Sequence, residues 1–119
     1  MGEAQEILNG LREPVRGLRS AAPEAWSGFA AMHGAAMADG VISRRLKELI
    51  ALAIAVTREC DGCIASHAKA AARHGASREE VAETLSVALL MNGGPATVYG
   101  PRAFAAFEEF AAGAGTGVD

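Results

Sequence analysis

A chain of 119 residues, half of them hydrophobic, is long enough to bury one core. Its formal charge of -3 argues against nucleic acid or an anionic membrane as partner, since either would want a basic face. Aromatic residues make up only 5%, so small aliphatic side chains supply the apolar area, and a chain of this kind often completes its core by oligomerising.

The acidic start, MGEAQEILNG, lacks the apolar segment of an export signal. The longest apolar run, Leu49 to Val56, is too short to cross a bilayer. Two cysteines spaced closely in such a chain suit a reducing compartment, where a close pair serves catalysis or metal binding more often than stapling. The sequence therefore reads as cytoplasmic.

Period-two alternation of β-branched residues is almost absent, so strands are not expected. Residues 3–12 form a short amphipathic helix with Ile7, Leu8 and Leu11, interrupted by Pro14. Pro23 at a first helical position opens a second helix through Trp26, Phe29, Met32 and Met37, the two methionines reading as core, and Asp39-Gly40 ends it. Ser43 caps a third, whose second half, LIALAIAV, is apolar all round and belongs at the centre of the fold.

A fourth helix, about 60–74, carries both cysteines in its first turn and ends at His74-Gly75. Ser77 and Glu80 match a capping box, ahead of a buried stripe of Val81, Leu85, Ala88 and Leu89. The break at Met91-Asn-Gly-Gly-Pro95 precedes a last helix that runs to about Ala112, with a kink at Gly100-Pro101 and a stripe of Phe104, Phe107 and Phe110; the GAGTGVD tail reads as disordered. The whole is an all-α bundle of about six helices in a single domain, 1–119, with its core between about 20 and 112.

The chemistry concentrates in "TREC DGCIASHAKAA". On a helix, Cys60 and Cys63 are related as i and i+3, and Cys63 and His67 as i and i+4, so all three share one face. A helix N-terminus stabilises a thiolate through its unpaired N–H groups and the positive end of its dipole, and Gly62 leaves room for a substrate to approach. Lowering a thiol pKa by about two units raises the thiolate fraction roughly 25-fold at pH 7. Lost nucleophilicity takes back roughly 6- to 10-fold of that. Tuning the thiol is therefore not enough, whereas a positioned acid–base group contributes about 10²–10⁴-fold. His67 is placed to be that group. Glu48, one antiparallel hairpin away, is the carboxylate that could orient it; the plain alternative is a solvated glutamate beside Arg45 and Lys47. Glu59 reads as a solvated helix-start acid, His74 as a helix-end cation and His33 as a core or interface residue. Zinc remains open, because two thiolates and an imidazole are three good ligands.

Glu48, eleven residues, Cys60-x-x-Cys63, three residues and His67 resemble the active-site signature of the AhpD-like alkyl hydroperoxidases, within the carboxymuconolactone decarboxylase superfamily. The stretches DGVISRRLKELIALAIAV, CIASHAKAAARHGASREEVAETL and LLMNGGPATVYG carry the likeness over roughly residues 25 to 110. The resemblance implies an all-helical fold assembled as a homotrimer or homohexamer, needing no metal or cofactor. It implies Cys63 as the peroxidatic thiol and Cys60 as the resolving thiol, which forms the disulfide. Glu48 and His67 would relay protons, the substrate would be a hydroperoxide or a partner disulfide, and an external dithiol would be the reductant. One position departs: the founding peroxidases carry a histidine between the cysteines, and here it is Gly62. A decarboxylase-like lyase on the same fold, with the cysteines incidental, is the alternative.

Overall fold

In the computed structural model the described residues, 2–115, form six α-helices and no strand: α1 (Glu3–Ala21), α2 (Pro23–Met37), α3 (Arg44–Thr57), α4 (Asp61–Arg73), α5 (Arg78–Asn92) and α6 (Ala96–Gly115). The all-α expectation holds. Local chemistry accounts for most of the boundaries. Ser43 Oγ accepts the N–H of Leu46 at 3.2 Å, and Ser77 and Glu80 cap each other reciprocally. Gly75, at φ 85°, ends α4 by taking the left-handed conformation that a side chain would resist.

The core lies where α4 packs between α3 and α6, with α5 closing one side. α3 contributes Leu49, Leu52 and Val56, α5 contributes Val81 and Leu85, and α6 contributes Phe107 and Phe110. From α4 come Ile64 and three alanines, Ala65, Ala68 and Ala71, whose short side chains let neighbouring helices approach closely. Phe104 packs against this core from its edge, so the expected aromatic stripe is a packing feature.

Several expectations need correction. Pro14 does not interrupt the first helix, which continues to Ala21. The carbonyl it leaves without a donor belongs to Gly10, which is exposed and can be solvated. Pro101, by contrast, lies inside α6 as the sequence reading has it, and the carbonyl it orphans belongs to exposed Thr97. That helix extends past Ala112 through Gly115, so the first part of the expected tail is helical; residues 116–119 lie outside the described residues.

The apolar run of α3 is central on one face only. Leu49, Leu52, Ala55 and Val56 are buried, but Ile50 and Ile54 are about half exposed, at 49% and 55%. Met37 is buried as expected, whereas Met32 and Leu89 are exposed. Phe29 and Met32 on α2, Leu46, Ile50 and Ile54 on α3, and Leu90 and Met91 on α5 leave extensive apolar surface that this chain does not cover.

A distant carboxylate fastens α1. Its N-cap, Gly2, offers no side chain; instead Glu109 of α6 accepts the N–H of Ala4 at 3.1 Å and of Gln5 at 3.0 Å. The negative charge faces the positive end of the α1 dipole, and it brings Ala4 into the core and the length of α1 across α4.

Candidate redox site

The turn between α3 and α4 positions the first cysteine. The N–H of Glu59 bonds the carbonyl of Val56 at 3.1 Å and that of Cys60 bonds Ala55 at 3.2 Å, the paired bonds of a Schellman motif. Glu59 holds the left-handed position of that motif at φ 54°, where glycine is the unstrained choice. It is solvated, as expected, but it precedes the helix. The residue that closes this motif is Cys60, which also caps α4.

Cys60 therefore stands just outside α4 and not in its first turn, as its spacing had suggested. Its Sγ accepts the N–H of Cys63 at 3.2 Å, and the two sulfurs are joined in a disulfide with the Cα atoms 5.2 Å apart. Cys63 is exposed and Cys60 half-buried. The space at Gly62 is partly taken up by α1: a Cβ there would lie 3.0 Å from Cδ1 of Leu11. α1 thus fills the position where the resembling peroxidases place a histidine, and a larger residue at 62 requires Leu11 to swing aside.

Glu48 is fully buried, which overturns the solvated alternative. A carboxylate withdrawn from water is tolerated only when paired and hydrogen-bonded. Both its oxygens are engaged: Arg44 Nε donates to Oε2 at 2.6 Å, and His67 Nδ1 lies 2.8 Å from Oε1. An ionised carboxylate only accepts, so Nδ1 carries the hydrogen and Nε2, on the other edge of the ring, is left for chemistry. The α3–α4 hairpin thus joins residues 19 apart in sequence.

An open cleft of about 310 Å³ adjoins this pair, lined by Glu48, His67 and Arg44, with Lys69 and Arg73 of α4 and His33 of α2. Neither cysteine lines it. His33 is an exposed cleft residue, not a core one; His74 is the exposed C-cap of α4, as expected of a helix-end residue. No three histidine, cysteine or acidic side chains converge as a metal site among the described residues. Arg44, missed in the sequence reading, was signalled by its position four residues before Glu48. His33 and Leu11 carried no such signal, because only tertiary packing brings them here.

Residues 23–112 match the sequence profile of the carboxymuconolactone decarboxylase family. The chain belongs to that family. An uncharacterized protein of Cupriavidus necator is 42% identical over 101 residues, which span 85% of this chain and 89% of its own. The crystal structure of an apo carboxymuconolactone decarboxylase family protein from Legionella pneumophila superposes with a TM-score of 0.89 at 38% identity, covering 92% of this chain and 97% of that one. A Thermotoga maritima family member, for which a part in an antioxidative response has been suggested, gives a TM-score of 0.78 at 26% identity over the same shares. The AhpD-like resemblance and the family membership agree.

The Glu48 pairing has a measurable consequence. Removing one partner of a buried ion pair costs about 3–5 kcal/mol when the other stays buried. Arg44 and His67 are 29% and 22% exposed and can turn toward water, so Glu48→Leu is expected to cost less, about 1–3 kcal/mol. Equilibrium urea unfolding of both proteins measures it, and an unchanged midpoint would contradict the pairing.

Proposed function

We propose that this family member is an AhpD-like thiol oxidoreductase that reduces a hydroperoxide, or the disulfide of a partner, through Cys63 and Cys60. The observation that carries the reading is the hydrogen bond between buried Glu48 of α3 and His67 of α4, the helix that Cys60 caps and Cys63 opens. His67 follows Cys63 by four residues, so the imidazole and the thiol share one side of α4.

In the forward reaction Nε2 of His67 takes the proton of the Cys63 thiol, and the resulting thiolate attacks the terminal peroxide oxygen. An S–O bond forms as the O–O bond breaks, and the departing alkoxide takes a proton from Nε2 of the His67 imidazolium. Glu48 holds the ring and stabilises its positive charge. Cys60 then attacks the Cys63 sulfenic acid, water leaves, and the Cys60–Cys63 disulfide results. Two thiols and one hydroperoxide have become a disulfide, an alcohol and water. An external dithiol restores the thiols by two exchange steps and is itself oxidised to a disulfide.

The suggested antioxidative role of the Thermotoga relative supports this chemistry. The exposure of Cys63 also suits attack on the disulfide of a bulky partner, and Leu11 in place of a second histidine leans the same way. A reducing compartment, the cytoplasm, fits a pair that must be returned to thiols. The exposed apolar side chains of α2, α3 and α5 support assembly into an oligomer, a homotrimer or homohexamer on the family resemblance, because apolar residues left uncovered in this number suit a contact between molecules.

Cys63→Ser is expected to abolish dithiol-supported hydroperoxide consumption, and Cys60→Ser to consume a single equivalent. His67→Asn is expected to slow turnover about 10²–10⁴-fold. Full activity in Cys63→Ser, or lactone turnover undiminished by alkylation of both thiols, would replace the redox reading with the lyase. Sedimentation should show an oligomer that Ile54→Glu dissociates; a monomeric parent protein would remove the assembly.

A further inference from the structure

The cleft beside His67 carries a charge that the rest of the chain does not explain. The protein is acidic, with 14 acidic against 11 basic residues. Outside the cleft, Arg16, Arg45, Arg78 and Arg102 each lie within ion-pair distance of a carboxylate, Lys47 donates to the Ala38 carbonyl, and Arg12, Arg19 and Arg58 are exposed to water. In the cleft, three cations, Arg44, Lys69 and Arg73, meet one acid, Glu48, whose oxygens are already taken by Arg44 and His67. Lys69 Nζ donates to the neutral side-chain oxygen of Gln5, at 3.1 Å, and lies 5.6 Å from the centroid of the Phe110 ring, so no carboxylate neutralises it. Arg73 has no carboxylate within ion-pair distance among the described residues.

Helix stability does not account for the arrangement. Lys69 and Arg73 are related as i and i+4, where like charges repel. A cation in the last turn complements the helix dipole, which explains Arg73, but the effect fades before Lys69. Both face a cleft of about 310 Å³, at the small end of ligand sites. Its other walls include the apolar side chains of Leu8 and Ala70.

We propose that this cleft binds a small substrate through a carboxylate or phosphate group, held by Arg73 and Lys69, with a short apolar chain along Leu8 and Ala70. The proposal deepens the redox reading by naming the substrate class of the same site, and rests on it for the identity of the reacting group. Arg73 follows His67 by six residues, about 9 Å along the helix axis. The acid and the reacting group therefore occupy opposite ends of the molecule. A guanidinium fork and an ammonium are suited to either anion.

The test is calorimetric titration of the full-length, oxidised protein at fixed ionic strength with hexanoate, hexyl phosphate and neutral hexanamide. At least one acid should bind at a single site at least about tenfold more tightly than the amide, since charge-assisted bonds are about twice as strong as neutral ones; the tighter acid identifies the head group. Arg73→Gln and Lys69→Met should each weaken that acid at least about fivefold and leave hexanamide unaffected. Both side chains lie outside the core, and unchanged thermal unfolding verifies the fold of each variant. Equal binding of acid and amide, no binding of either acid, or variants that bind as well as the parent would overturn the proposal. Because the readout uses no thiol chemistry, it stands or falls separately from the peroxidase assay.

Discussion

The fully buried carboxylate of Glu48 is the constraint on which the site depends. Such a group has to be met by donors wherever it sits. Arg44, one turn back on the same helix, satisfies one oxygen, and the other has to be met from α4. That requirement orients the His67 ring and ties α3 to α4 at one level. Well-packed apolar residues in place of the whole Arg44–Glu48–His67 set would hold two helices together at least as well, so the pairing is explained by what it does to the imidazole. The ring is fixed, its Nδ1 is occupied and its Nε2 is left free.

The other parts of the molecule serve that placement. The Schellman turn at Glu59 brings Cys60 to the mouth of α4, while alanines at 65, 68 and 71 let that helix sink among its neighbours. Glu109, reaching from α6, lays α1 across α4 so that Leu11 covers Gly62 and Leu8 walls the cleft. The site has two zones along one helix. The sulfurs lie at the exposed N-terminal end, and the acid–base pair with its basic cleft lies one to three turns further on. A substrate bound in the second zone and attacked from the first would span both.

What the sequence disclosed, it disclosed through local chemistry. The caps at Ser43 and Ser77 with Glu80, and the left-handed Gly75, depend on residues a few positions apart and were legible without a structure. The Glu59 turn was not, because a non-glycine residue occupies its left-handed position and gives no signal. Pro14 misled because the carbonyl it orphans, that of exposed Gly10, can be met by water, so the helix carries it. Met32 and Leu89 were assigned to the core on periodicity, which shows that a face is apolar and not what covers it. At the site, Cys60, Cys63, His67 and Glu48 were marked by spacing and by family likeness, whereas Leu11, His33 and Glu109 arrive from helices remote in sequence.

The central claim, that buried Glu48 fixes His67 with Nδ1 protonated and Nε2 free, is tested most directly by nitrogen-15 NMR of the imidazole in the neutral form. The account predicts that the Nδ1–H tautomer dominates in the parent protein and gives way in Glu48→Leu. A ring carrying its hydrogen on Nε2 in the parent protein, or one indifferent to the substitution, would contradict it.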